Sequence, residues 1–226
     1  MRTALLNNKQ MGINRGKNMI NLNDIKNKLQ NRKLSTVGKH KFFSVLVPLV
    51  EIDGELNVLY EVRSKTIPSQ PGEVCFPGGA IEKGESPKQA AIRETCEEIG
   101  VCEKDIQIIA QGDRLISQAN FTMYSYIGTI TKEAYDNMKL NEAEVGEVFT
   151  VPLEWLLKAE PEVHIVDLVQ FNRENFPFEK ANITPDYNWR RSYADVPIYN
   201  YEDKAIWGLT GRITRNLMQI LKGEKE

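Results

Sequence analysis

Residues 79–101 read Gly-Ala-Ile-Glu-Lys-Gly-Glu-Ser-Pro-Lys-Gln-Ala-Ala-Ile-Arg-Glu-Thr-Cys-Glu-Glu-Ile-Gly-Val. Ser86 offers an N-cap oxygen, Pro87 suits the first helical position, and Gln89 stands where a capping-box partner belongs. The spacing predicts a helix from Pro87 that stops at Gly100, a residue able to take the left-handed backbone of a C-cap. At about 100° per residue, Glu94, Glu97 and Glu98 fall at roughly 0°, −60° and +40°, while Ile92, Thr95, Cys96 and Ile99 fall between roughly 100° and 200°. One face is anionic and the other packs. Glutamates three and four apart repel by roughly 0.2–0.5 kcal/mol per pair on a solvated helix, and a bound cation reverses that sign. Magnesium and manganese take oxygen ligands and join carboxylates to phosphates, which this face would offer. The loop before it, Phe76-Pro77-Gly78-Gly79, has glycines that allow positive φ and close approach to a ligand.

The stretch resembles the Nudix box, G-x5-E-x7-R-E-U-x-E-E-x-G-U with U aliphatic. Gly79, Glu85, Arg93, Glu94, Glu97, Glu98, Gly100 and Val101 match, and only Thr95 departs from an aliphatic position. An accidental match to the fixed positions has a probability on the order of one in a hundred million per start site, so chance is not the competing reading. The competitors are a catalytically retired copy or an ordinary amphipathic helix. The resemblance implies an α/β/α sandwich with a mixed β-sheet. It makes Glu94, Glu97 and Glu98 ligands of Mg²⁺ or Mn²⁺, with the Gly79 carbonyl as a further ligand. It gives Glu85 and Arg93 the structural task of tying loop to helix.

Upstream, Leu59-Tyr60-Glu61-Val62-Arg63-Ser64 and Pro71-Gly72-Glu73-Val74-Cys75-Phe76-Pro77-Gly78-Gly79 resemble a second signature, that of the coenzyme A diphosphatase branch: L-L-T-x-R-S, a basic residue, then G-x3-F-P-G-G. The match is partial, because Pro68 holds the basic position and Lys65 is the nearby cation. Similar strings recur at Asn141–Val145, Val151–Leu153, Phe176–Phe178 and Ile206–Gly211. The resemblance implies a substrate-binding group of Arg63, Gly72, Phe76, Gly78 and Gly79. Independently, a guanidinium at the end of a strand beside a glycine loop suits a phosphate; the alternative for Arg63 is a surface ion pair with Glu61 or Glu73. Glu98 and Glu97 are the catalytic carboxylates so implied. The resemblance also makes Glu144, in the acidic loop Asn141–Glu147, a candidate general base or metal ligand, the alternative being a solvated loop charge. Tyr187–Arg191 could stack on an adenine and pair with a phosphate, although a loop without that role is the simpler reading.

The chain has 226 residues and a net charge of −2 with no basic block, which gives no support to nucleic-acid binding. Cys75, Cys96 and Cys102 lack metal-ligand spacing and suit buried thiols in a reducing cytosol. His40 and His164 stand next to no obvious nucleophile and read as structural. The apolar run Phe42–Val50 is far too short to cross a bilayer, so no membrane association is expected. Residues 1–18 are rich in Asn, Lys and Arg and read as a disordered extension, leaving 19–226 as one domain with helical elements at each end.

Elements expected are a helix at 22–32, strands at 44–52 and 55–63 joined by the Asp53-Gly54 turn, and strands at 106–116 and 121–130. A helical turn at 152–157, a strand at 163–171 and a helix at 203–221 follow. Pro48 implies that the first strand is an edge or bulged one.

The reading is a cytoplasmic, metal-dependent diphosphohydrolase of coenzyme A or acyl-CoA, either monomer or homodimer. Its alternatives are a Nudix hydrolase of ADP-ribose or a dinucleoside polyphosphate, and a nucleotide-sensing module that binds without cleaving.

Overall fold

Asp53 and Gly54 both take positive φ, 52° and 83°, and so close a two-residue turn whose twist matches the strands it joins. Those strands are β1 (Lys41–Ile52) and β2 (Glu55–Arg63), the centre of the sheet. The computed structural model describes residues 20–169 and 176–224; the extension expected at 1–18 lies outside them. The chain divides into two units, Met1–Gly38 and Lys39–Glu226. In the first, α1 (Leu22–Gln30) is capped by Asn21, whose side chain accepts the Asp24 N–H while Asp24 returns a bond to the Asn21 N–H.

In the second unit the further strands are β3 (Val74–Cys75), β4 (Gly78–Ala80), β5 (Ile106–Gln111), β6 (Leu115–Ser117), β7 (Phe121–Ile130) and β8 (Val145–Pro152). Among the described residues these form one eight-stranded sheet with the central path β3-β2-β1-β7-β5. The β1·β7 pair is parallel and the others are antiparallel, so the sheet is mixed. A second sheet, β11-β10-β9, comprises β9 (Glu162–Leu168), β10 (Ser192–Tyr201) and β11 (Lys204–Ile206). The helices are α2 (Pro87–Ile99), α3 (Lys132–Asp136), α4 (Leu153–Lys158) and α5 (Gly208–Leu221).

Strand alternation sorts the core into two layers. Leu46 and Leu59 pack with Ala91, Ile92 and Ile99 of α2. Their neighbours Val45, Val47, Val58 and Tyr60 pack with Ile213, Leu217 and Met218 of α5 on the other face. The result is the expected α/β/α arrangement. Each large apolar side chain so buried stabilises by about 1.5–3 kcal/mol.

Three expectations need correction. β1 is not an edge strand. Leu46 N–H reaches Pro77 O on the side away from β7, and Pro48, two residues on, faces the same way. There it falls between the β4 pairing at 43–45 and the β2 pairing that begins at Leu49, a gap in which no ladder donor is required. The C-terminal helix starts at Gly208 rather than Asp203, because Glu202 (φ 52°) turns the chain and 204–206 pair back onto Tyr199–Tyr201. The strand expected at 106–116 is two strands, β5 and β6, both paired to β7, with Gly112 N–H donating to Ser125 O between them.

Candidate active site

Helix α2 begins and ends where its own chemistry requires. Ser86 Oγ accepts the Gln89 N–H at 3.3 Å and Gln89 Oε1 accepts the Ser86 N–H at 3.0 Å. Gly100 closes it with φ 71°, and a Cβ there would stand 2.9 Å from the Lys139 nitrogen. That contact brings the next segment onto the helix end: Lys139 N–H donates to Ile99 O and Asn141 N–H to Glu98 O at 2.8 Å. Asn141 O in turn accepts from Glu144 N–H, and Glu144 O accepts the Ser64 N–H at 2.7 Å. Glu144, far from the helix in sequence, is thereby fastened beside the end of β2. It stays exposed, and β8 starts at the next residue, inside the loop expected to run to Glu147.

The glycine loop fits between β1 and this helix with no room for side chains. Gly78 has φ 153°, and a Cβ on it would lie 2.6 Å from Val45 Cα. A Cβ on Gly79 would lie 2.6 Å from Glu94 Oε2. Gly78 N–H donates to Glu98 Oε2 at 2.7 Å. The wheel put Glu98 on an open anionic face, whereas it is 4% exposed because the loop covers it. Of the three glutamates only Glu97 is largely in solvent.

Arg93 organises the remaining charges. Its Nε and Nη2 donate to the two oxygens of Glu85 at 2.9 and 3.1 Å, and Nη2 also reaches Ala80 O at 3.2 Å. Its Nη1 lies 2.9 Å from Glu94 Oε1 and 3.0 Å from Glu97 Oε2. The forked bond to Glu85 ties the 80–85 loop to the helix, and Arg93 holds the Glu85 carboxyl below its usual range.

One functional candidate escaped the sequence reading. Glu61, considered there only as an ion-pair partner of Arg63, is 1% exposed within β2. Alternation puts it on the α2 face with Leu59. Its Oε1 accepts the Cys75 thiol at 3.2 Å, and its Oε2 is buried without a partner. Burial pushes both Glu98 and Glu61 well above the usual carboxylate range; like charge nearby raises each further, while for Glu61 the Cys75 thiol bond and Arg63 pull the other way. For Glu98 the largest charge influence is Glu61, followed after the Gly78 bond by Glu94 and Glu144. A carboxylate interrupting the apolar run Val58–Val62 was the available signal.

The family comparison agrees with this geometry: the model of the NUDIX domain matches residues 40–173. The chain belongs to the Nudix family. Nudix hydrolase 3 of Caenorhabditis elegans is 32% identical over 204 residues, covering 89% of this chain and 82% of that protein. The peroxisomal coenzyme A diphosphatase of Mus musculus is 31% identical over 140 residues, 60% of this chain and 58% of that one. The mitochondrial coenzyme A diphosphatase of Homo sapiens is 26% identical over 180 residues, 79% and 68% respectively.

In this Nudix hydrolase the other expected residues are distributed as follows. Arg63 is half-buried at the end of β2; its Nε donates to Ser69 O at 3.3 Å, and among the described residues it forms no ion pair with Glu61 or Glu73. Gly72 (φ 75°) turns the chain back, its N–H donating to Arg63 O at 3.0 Å. Phe76 is in the core, stacked on Tyr60 at 4.9 Å, and supports the loop from beneath. Trp189 packs between Phe176 and Tyr187. His40 bonds Thr122 and His164 bonds Glu162.

Divalent metal is general in Nudix hydrolases. Among the described residues no three Asp, Glu, His or Cys side chains stand together as a metal-holding group in this arrangement, since Arg93 draws Glu94 and Glu97 to itself. The donor chemistry nevertheless fits a hard divalent cation: all candidate ligands are oxygens, and the buried, partnerless Glu61 Oε2 belongs to the same like-charged set as Glu98. Among the described residues no helix is long and apolar enough to cross a membrane.

Proposed function

We propose that the protein hydrolyses the diphosphate linkage of coenzyme A or acyl-CoA, giving 3′,5′-ADP and 4′-phosphopantetheine or its acylated form. The observation that carries the reading is the packing of Glu94 and Glu98 against the Gly78–Gly79 loop, with Glu144 fastened by its backbone to Ser64, the residue after Arg63. Mg²⁺ or Mn²⁺, held by Glu94, Glu97 and Glu98 with the Gly79 carbonyl, would neutralise diphosphate charge and activate water.

The chain's own groups supply the rest. Among the described residues the Nη atoms of Arg63 carry no hydrogen bond, which leaves them able to hold a diphosphate oxygen pair. Gly78 and Gly79, lacking Cβ atoms, let Val45 and the Glu94 carboxylate close directly against the loop, so that the loop backbone and Glu94 would face the diphosphate together. Glu144 is exposed and tethered by its backbone, suited to accept the proton of the attacking water. The new phosphorus–oxygen bond forms as the anhydride bond opposite it breaks. The coenzyme A assignment draws support from the two coenzyme A diphosphatases above and from the Arg63–Ser64 and Gly72–Gly79 signature. The unpaired thiols Cys75, Cys96 and Cys102 support a reducing compartment such as the cytosol.

The test is a product assay. Coenzyme A, acetyl-CoA, ADP-ribose and diadenosine tetraphosphate are incubated separately with the protein and Mg²⁺ or Mn²⁺, and products are identified by mass. The reading expects 3′,5′-ADP from the first two at the highest kcat/KM. Preferential cleavage of ADP-ribose or the dinucleotide overturns the substrate, and binding without product under either metal overturns the reaction.

A further inference from the structure

The coenzyme A diphosphatase signature has threonine at the position this chain gives to Glu61. A carboxylate here is the last of the five buried residues of β2, paired in register with Cys75 on one side and Val148 on the other. A charged group so enclosed is costly unless something compensates it. Cys75 satisfies Oε1 alone. Oε2 has no hydrogen-bond partner among the described residues; the guanidinium of Arg63 nearby favours the charged form, but among the described residues it makes no ion pair with Glu61.

Strand alternation says which face of the sheet the Glu61 side chain occupies. Val58, Tyr60 and Val62 pack on the α5 side, Leu59 packs on the α2 side, and Glu61 continues the α2-side alternation. The segment Cys75–Gly78 holds both acids: its thiol bonds Glu61, and three residues later its Gly78 N–H bonds Glu98 Oε2. One short segment, by a thiol and by a backbone N–H, thus holds two buried carboxylates on the same face of the sheet. Two such groups, with Glu94 and Glu144 adding like charge, favour a divalent cation over an apolar contact.

We propose that Glu61 is an additional carboxylate of the cation site, with Cys75 as its positioning residue: the thiol fixes Oε1 so that Oε2 is presented to the cation shared with Glu98. The inference rests on the metal-dependent reading above and adds to it a residue outside the box. Glu61 then raises cation affinity, and a chain with threonine there needs a higher metal concentration for the same occupancy.

The experiment measures Mn²⁺ binding to the full chain by calorimetry and by paramagnetic titration, with no substrate present. Glu61→Gln and Glu61→Thr are expected to weaken Mn²⁺ binding at least tenfold while circular dichroism stays native. Cys75→Ala is expected to weaken it severalfold and Cys75→Ser, which keeps a donor, to recover most of the loss. The apparent Mn²⁺ requirement of turnover should rise in the same order, with the substrate KM at saturating metal changed less. Unaltered Mn²⁺ affinity in both Glu61 variants, with Glu98→Gln still abolishing binding, overturns the proposal and leaves the parent reading standing. Mn²⁺ binding untouched by Glu98→Gln as well overturns both.

Discussion

Gly79 and Glu94 occupy each other's space: the carboxylate of Glu94 fills the volume a Cβ on Gly79 would need, with Oε2 2.6 Å from that position. The carboxylate is held there by Arg93 Nη1 at 2.9 Å from Oε1. Gly79→Ala therefore displaces Glu94 without disturbing the sheet. A misplacement of about 1 Å at a reacting site can cost on the order of 100-fold in rate. Steady-state kinetics should show kcat/KM down by roughly 10- to 100-fold with a native circular dichroism spectrum. A wild-type rate would mean that the position of Glu94 is immaterial.

Glu98 is buried and faces like charge from Glu61, so the folded chain is relieved when its charge is removed. Glu98→Gln keeps an oxygen for the Gly78 N–H and loses the repulsion. Its metal-free Tm should rise by a few degrees, on the order of 1 kcal/mol, while the Tm increase produced by Mn²⁺ in the wild type disappears. Turnover should fall by a factor on the order of 100 or more. Scanning fluorimetry with and without Mn²⁺ is decisive: an undiminished metal-induced shift in the variant removes Glu98 from the cation site.

Arg93 donates to Glu85 through a planar fork that lysine lacks. Arg93→Lys keeps the charge but breaks one of the paired bonds and the contact with Ala80 O. Urea unfolding should show a loss of about 1–3 kcal/mol. If lysine proves as stable as arginine, charge alone suffices and the fork has no structural role.

Tyr199 is 2% exposed, and burial pushes its phenol up to about 12 from the usual 10, with Arg215 pulling the other way. A phenol whose folded-state pKa is raised contributes stability that is complete below the unfolded value and lost as pH rises towards the folded one. The window is thus pH 10 to about 12. Between pH 9 and 11 the wild type should lose on the order of 1 kcal/mol more than Tyr199→Phe. Parallel denaturation curves for the two proteins across that range would contradict the burial argument.

Local chemistry made α2 legible before any fold was known. Ser86, Pro87 and Gln89 set its start, Gly100 set its end, and Asp53-Gly54 set the central hairpin, because caps and tight turns are satisfied by residues within four positions of one another. The tie between Arg93 and Glu85 was expected from the resemblance to the Nudix box rather than from local chemistry, and the two side chains form a forked pair 2.9 Å apart at Nε. The hairpin at Glu202-Asp203 was not, because an amphipathic run at a helix start and a short strand look alike until a pairing partner such as Tyr199–Tyr201 is available.

What the sequence determined by itself is a helix carrying Glu94, Glu97 and Glu98 beside a glycine loop. Only the tertiary structure decided that Glu98 is enclosed while Glu97 is exposed, that Pro48 fits a central strand, that Glu144 is fastened to Ser64, and that Glu61 joins the acidic set. Capping and turn preferences act between neighbours along the chain, whereas enclosure and the meeting of distant carboxylates depend on which strands pair and which face each side chain then occupies.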